Sequence, residues 1–338
     1  MKILYALQGT GNGHTVRALE IIPYLKQRAE VDILISGYQS EIELPWKIKY
    51  KYHGLSFVFG KNGGINIWKS LKQLKFKQLI REIKTIPVKD YDLIINDFEP
   101  ITAWASKIKN TPIISLSHQN AVTNKNAPKY GFLKPERLIL KYYAPAKIKF
   151  GFHFKTYNSS IFTPILRKEI RYRNKKNKGH YTVYLPAYND KKIIKILSHF
   201  KNIEWQIFSK HTDTNYFKNN ITIQPVSEKG FINSLTTCEG VLCGAGFETP
   251  AEALFLRKKL MVIPMKNQYE QQCNALALKE IGVPVIKKLS KKNLLKIAKW
   301  IKSDKKVTVN YPDITEDILD TILLPYINNS LISQATIV

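Results

Sequence analysis

Gly240-Val241-Leu242-Cys243-Gly244-Ala245-Gly246-Phe247-Glu248-Thr249-Pro250-Ala251-Glu252-Ala253-Leu254 is the stretch that decides how this chain is read. An apolar strand runs into a glycine-spaced turn, and the turn opens a helix whose first turn can hold Pro250 without losing a backbone donor. Such a junction presents the free N–H groups of a helix start at the carboxyl end of a strand, which is where open α/β sheets bind anionic ligands. Gly244, Gly246, Phe247, Glu248 and Thr249 are therefore expected to lie against a ligand, with Glu252 about one turn further in. A carboxylate there can accept hydrogen bonds from the vicinal hydroxyls of a ribose. After the next strand, Pro264 to Gln272 makes a polar loop and helix start, in which the amides of Gln271 and Gln272 can read sugar hydroxyls. Against this stands the plainer alternative that Glu252 and the two glutamines are ordinary exposed helix residues.

Outward from that segment, short β-branched runs alternate with helical patterns along the whole chain, the pattern of βαβ units around parallel sheets. In the first half the strand candidates are Lys2 to Leu7, Val31 to Ser36, Leu93 to Asn96 and Pro112 to Ser117, with helices over Thr15 to Gln27 and Trp68 to Ile83. The second half offers strands at Tyr181 to Leu185, Trp205 to Phe208, Gly240 to Cys243 and Leu260 to Pro264. Its helices are expected at Asp190 to His199, Glu248 to Leu256, Gln268 to Ile281 and Lys291 to Ile301. Arg171 to Gly179 is charged and has no apolar face, so it reads as a linker or exposed loop. The expected division is residues 1–165 and 166–313, with the apolar tail 314–338 closing the second domain or crossing back to the first.

The first strand also ends in glycines, Gln8-Gly9-Thr10-Gly11-Asn12-Gly13-His14, just before a helix. This loop invites phosphate as well, through Gly9, Asn12 and Gly13, although a plain tight turn explains it too. A dinucleotide fingerprint would need glycine at His14 and an acidic residue closing the strand Val31 to Ser36, and both are missing.

With 338 residues, 44 % of them hydrophobic, the chain can fill two cores. Its 53 Lys and Arg against 26 Asp and Glu give a formal charge of +27, which draws an acidic partner or merely coats a soluble surface. The opening residues show no secretory cleavage site, and no run approaches the roughly 18 apolar residues of a spanning helix. Cys238, Cys243 and Cys273 are too few and too irregular for a zinc site or disulfide framework. Cytoplasm is the expected compartment.

Together these residues resemble the two-domain glycosyltransferases related to the lipid II-forming N-acetylglucosaminyltransferase and to the diacylglycerol glycosyltransferases. The resemblance is carried by Gly9 to His14, by Ser117-His118-Gln119-Asn120, by Gly246 to Thr249 with Glu252, and by Pro264 with Gln271-Gln272-Cys273-Asn274-Ala275. It implies a GT-B fold, two Rossmann-like domains with parallel sheets facing across a cleft. It further implies a nucleoside diphosphate sugar, UDP-linked, held by the second domain: Gly246 to Thr249 on the diphosphate, Glu252 on the ribose, Gln271 and Gln272 on the sugar. Gly13 and His14 would face the cleft from the other side, and Arg167 would lie near the phosphates. The sequence departs from the family at Tyr184 to Tyr188, where relatives carry a long glycine-serine loop.

The expected chemistry is transfer with inversion, with no cofactor and no metal, and with His14 or Asp97 as base, Asp97 being placed as a buried carboxylate facing the cleft. Each has a plainer alternative: for His14 the orienting of a phosphate, and for Asp97 the capping of the next helix. A lipid-linked or glycan acceptor, a place in the cell envelope and peripheral contact with an anionic membrane follow from the lysine-studded apolar segments Trp68 to Ile83 and Phe132 to Phe150, which could also be packed helices. Two rivals remain. A nucleotide-sugar 2-epimerase would share the fold and donor site, and a nucleic-acid-binding protein would use the charge but lacks a reader motif.

Overall fold

The structure, a computed structural model, describes residues 1–37, 42–54, 75–131, 135–173 and 176–335. The first sheet consists of β1 (Lys2–Gln8), β2 (Glu30–Ser36), β3 (Tyr50–Tyr52), β4 (Leu93–Asp97), β5 (Ile113–Leu116), β6 (Ile148–Phe152) and β7 (Ile161–Phe162). Its order is β3-β2-β1-β4-β5-β6-β7, and every neighbouring pair is parallel. The second consists of β8 (Tyr181–Tyr184), β9 (Trp205–Ser209), β10 (Tyr216–Lys218), β11 (Ile221–Pro225), β12 (Gly240–Gly244) and β13 (Lys259–Ile263). It runs β10-β11-β9-β8-β12-β13 and is parallel except at the edge strand β10. The chain thus forms two Rossmann-like domains.

Parallel sheets are covered on both faces, which is why Ile3 to Leu7 and Val241 to Cys243 read as unbroken apolar runs and are buried throughout. Strand order reverses between β1 and β4 in one sheet and between β8 and β12 in the other. At such a reversal the helices that follow the two strands pack on opposite faces of the sheet, and a crevice opens at the carboxyl ends. Both glycine loops follow a strand at one of these reversals, and so does Asp97, whose strand position pairs with Leu7.

Among the helices, α1 (Asn12–Lys26) begins three residues before the expected Thr15 and buries Val16, Ile21, Ile22 and Leu25. Then come α2 (Pro100–Lys109), α3 (His118–Thr123), α4 (Glu248–Phe255) and α5 (Tyr269–Glu280). The last, α6 (Thr315–Ala335), returns to the first sheet's side. Its Ile318, Leu319, Ile322 and Leu323 join the apolar cluster that holds Ile21, Ile22 and Leu25. Arg28 Nε donates to Asp320 at 2.7 Å and Nη2 to Glu316 at 2.6 Å.

One expectation needs correction. Phe132 to Phe150 is not one amphipathic stretch: it divides into a helix over Pro135–Tyr143 and the sheet strand β6, and residues 132–134 lie outside the described residues. Of Trp68 to Ile83, residues 68–74 lie outside the described residues, and from Phe76 on the segment falls in the helix Phe76–Thr85, as expected. No described helix is long and apolar enough to cross a membrane. The three cysteines are buried free thiols.

Candidate active site

The first loop is shaped from within. Gly9 donates to the Ser36 carbonyl at 2.7 Å, and a methyl group on Gly9 would come within 2.4 Å of the Gly37 carbonyl oxygen. Gly9 is therefore a packing residue, buried beneath the cleft rather than lining it as expected. Gly11, Asn12 and Gly13 do line the cleft, and a methyl group on Gly13 would meet the Glu248 carboxylate at 2.5 Å.

His14 lies in the first turn of α1 with its ring 12 % exposed. Its Nδ1 is 2.9 Å from Asp97 Oδ1, and because an ionised carboxylate only accepts, the proton of the neutral ring sits on Nδ1 and leaves Nε2 basic. Asp97 is fully buried, as expected, but it is not among the residues that line the cleft. It also leaves helix capping to Glu99, whose carboxylate accepts from Ile101 N and Thr102 N, both at 2.7 Å, at the start of α2. Between Asp97 and Glu99, Phe98 takes a left-handed backbone (φ 56°), a conformation that costs a non-glycine residue about 1–2 kcal/mol, while its ring stacks on Tyr143 at 4.6 Å.

The second partner of Asp97 is Arg17, one turn along α1 from His14. Nε and Nη2 grip Oδ2 and Oδ1 at 2.9 and 3.0 Å, and Nη1 reaches Glu248 Oε1 in the other domain at 2.8 Å. Burial pushes the Asp97 carboxyl up, but Arg17 and His14 outweigh it and hold it below the usual carboxylate range. Burial likewise opposes the Arg17 charge, and Asp97 and Glu248 more than restore it. Glu248 was expected among the diphosphate ligands. Its side chain is turned to Arg17 instead, so only its backbone N–H remains for an anion.

The second loop is open at Gly246, as the first is at Gly11 but not at Gly9. A methyl group on Gly246 would meet nothing within 4 Å. Phe247, 4 % exposed, anchors the loop against the first domain by stacking on His118 at 4.0 Å and packing on Phe154 at 5.2 Å, contacts worth about 0.5–1.5 kcal/mol each beyond their area. His118 Nε2 lies 2.9 Å from Asn274 Oδ1, a further bridge between the domains. The first N–H groups of α4 have no acceptor within the helix. Gly246, Phe247, Glu248, Thr249 and Glu252 line one cleft of about 1830 Å³ together with Gly11, Asn12 and Gly13 of the other domain. Gln271 and Gln272 line it too, and Gln271 Oε1 accepts from Met265 N at 3.0 Å, leaving its amide nitrogen for a ligand. Gly244 lies at the end of β12, behind Gln271.

Arg167 also borders the cleft, but its Nε and Nη2 form a fork on Glu252 at 2.7 and 2.8 Å. Burial drives the Glu252 carboxyl up, against the pull of Arg167. The two expected ligands are thus brought together, Arg167 steering Glu252 while the second lone pair of each carboxylate oxygen stays available.

Reading the sequence overlooked Arg17, although its spacing of three from His14 on a helix was a signal that the two share a face. Lys266, Lys287 and Lys288 at the cleft were equally hidden, because one lysine resembles another in so basic a chain.

Comparison with known proteins follows the same lines. A family model described as Glycosyl transferase family 1 matches residues 1–303. A search of curated proteins by sequence finds no match. Among solved structures, MurG of Acinetobacter baumannii superposes with a TM-score of 0.53 at 15 % identity over 89 % of this chain and 91 % of its own. A UDP-N-acetylglucosamine 2-epimerase gives 0.58 at 14 % over 96 % of each chain. The glycosyltransferase SsfS6 of Streptomyces sp. SF2575, complexed with thymidine diphosphate, gives 0.56 at 12 % over 90 % and 92 %. At such identities the likeness establishes the fold, which is GT-B.

Proposed function

The chain belongs to glycosyl transferase family 1, and from that premise we propose that it transfers a sugar, with inversion, from a nucleoside diphosphate donor to an acceptor hydroxyl. The observation that carries the proposal is the pairing of walls across one cleft. On one side stands the open start of α4 at Gly246 to Thr249, and on the other the turn Gly11 to Gly13, which His14 directly follows in sequence; His14 does not itself line the cleft, and its Nδ1 is held by a buried carboxylate.

The donor's diphosphate lies against the free N–H groups at the start of α4, where the helix dipole and Lys266 meet the charge that grows as the bond to the anomeric carbon breaks. Glu252, steered by Arg167, accepts from the ribose hydroxyls, and Gln271 and Gln272 read the sugar. His14 Nε2 takes the proton from the acceptor hydroxyl as its oxygen attacks, while Asp97 steadies the imidazolium that forms. Leaving-group charge is met by backbone and lysine, so this chemistry requires no metal. Uridine is the base expected of the donor. The acceptor is a lipid-linked or glycan hydroxyl, and the +27 charge suits one presented at an anionic membrane face.

Thermal shift with a panel of UDP, TDP, GDP and their sugars tests donor binding; a flat response to every nucleotide diphosphate would remove the proposal. Incubation with UDP-N-acetylglucosamine alone separates a transferase, which leaves the donor intact or hydrolyses it slowly, from an epimerase, which inverts its sugar.

A further inference from the structure

Arg17 is 4 % exposed, carries a full charge, and divides that charge between two domains. Its fork lies on Asp97 and its third arm on Glu248, while Nη2 passes 3.3 Å from His14 Nδ1. A planar guanidinium can hold these positions at once, whereas an ammonium is a point charge that reaches one or two of them. Glu248 is the first residue of α4, beside the glycine loop proposed to hold the donor.

Resting on the dyad of the preceding section, we propose that Arg17 is the positioning residue of that dyad and that it links the proton on His14 to the donor-side loop through Glu248. The fork fixes both carboxylate oxygens of Asp97, so Oδ1 points at His14 and cannot rotate away. The third arm keeps α4 docked on α1, so that the base is aligned when the two domains are closed and loses its register when Glu248 withdraws.

Several charged or titratable groups lie around the imidazole. Asp97 faces it from β4 and Arg17 from its own helix; Glu248 acts from α4 through Arg17. The Tyr5 hydroxyl on β1, kept protonated by burial and by Asp97, bears on Asp97 and Arg17, and the Phe98 ring lies parallel to the imidazole at 6.4 Å. Each substitution therefore has a sign. Removing the Arg17 charge leaves Asp97 unopposed and favours the protonated ring. Removing the Glu248 charge leaves Arg17 less neutralised and favours the neutral ring.

The test is an NMR titration of the full chain with ¹⁵N-labelled histidine, seven residues in all, with the His14 signals assigned by their loss in His14→Asn. Arg17→Gln should move the His14 midpoint up by about one pH unit, and Arg17→Lys should return most of that shift. Glu248→Gln, at a partly exposed position that tolerates the change, should move it down by about half a unit. Midpoints that stay put, or that move the same way in Arg17→Gln and Glu248→Gln, overturn the proposal. The dyad itself is judged separately: release of UDP from UDP-N-acetylglucosamine that is undiminished in His14→Asn removes the base assignment, whatever the titrations show.

Discussion

The two glycine loops look alike in sequence, each a strand, a run of spaced glycines and a helix, yet the protein uses them differently. In the loop of β1, Gly9 is needed because the Gly37 carbonyl occupies the space of a side chain, while Gly13 faces the movable tip of Glu248 and Gly11 has nothing within 4 Å. Beyond Gly246 there is only open cleft. Gly9 answers to protein packing, whereas Gly246, like Gly11 of the first loop, borders open space. A glycine-rich βα junction is thus not by itself a phosphate site; what lies where the missing side chain would be decides the matter.

The difference can be broken by substitution. The largest effect is expected at the first loop's chemical residue: His14→Asn should lower turnover by about 10² to 10⁴ while UDP affinity, measured by calorimetry, stays within about threefold. If affinity collapses instead, the first loop is a donor site and the contrast fails. Gly9→Ala should cost about 1–3 kcal/mol of stability in urea unfolding, since backbone rather than a flexible side chain must move. Gly246→Ala should leave the urea midpoint almost unchanged and weaken UDP binding about tenfold, or about 1.4 kcal/mol, by placing a methyl group where the diphosphate approaches. A reversed pattern, with Gly246→Ala unfolding the protein and Gly9→Ala harmless, would exchange the roles of the loops.

The smallest expected effect concerns acid. Asp97 is held below its unfolded value, so the stability it contributes is complete above about pH 3.9 and is lost as pH falls through the lower folded value. Urea midpoints followed from pH 6 to pH 3 should fall less steeply in Asp97→Asn than in the unmodified chain. Equal slopes would mean that the first loop's network does not depend on an ionised carboxylate.

Much of this architecture was legible in advance. The central strands announce themselves because parallel strands are apolar on both faces, and β1, β2, β4, β8, β9, β12 and β13 all fall on expected runs. Edge strands such as β3 and β10 escaped, since Tyr50 to Tyr52 and Tyr216 to Lys218 are half wet and carry no such run. The site was legible as residue types near strand ends, but not as pairs. Nothing in the spacing of 85 residues between Arg167 and Glu252, or of 231 between Arg17 and Glu248, marks them as partners. Long-range charge pairing is set by how the sheets meet, and a single sequence does not encode that locally.

The return of α6 to α1 bears on autonomy. Ile318, Leu319, Ile322 and Leu323 cover part of the apolar side of α1, and Arg28 fastens the cover at its edge. A fragment that stops after β7 would keep every strand of the first sheet yet bare a greasy flank made by Ile21, Ile22 and Leu25, inviting aggregation. The first half is therefore contiguous in space but not in the gene, and any excised or swapped version of it would have to carry the last helix along.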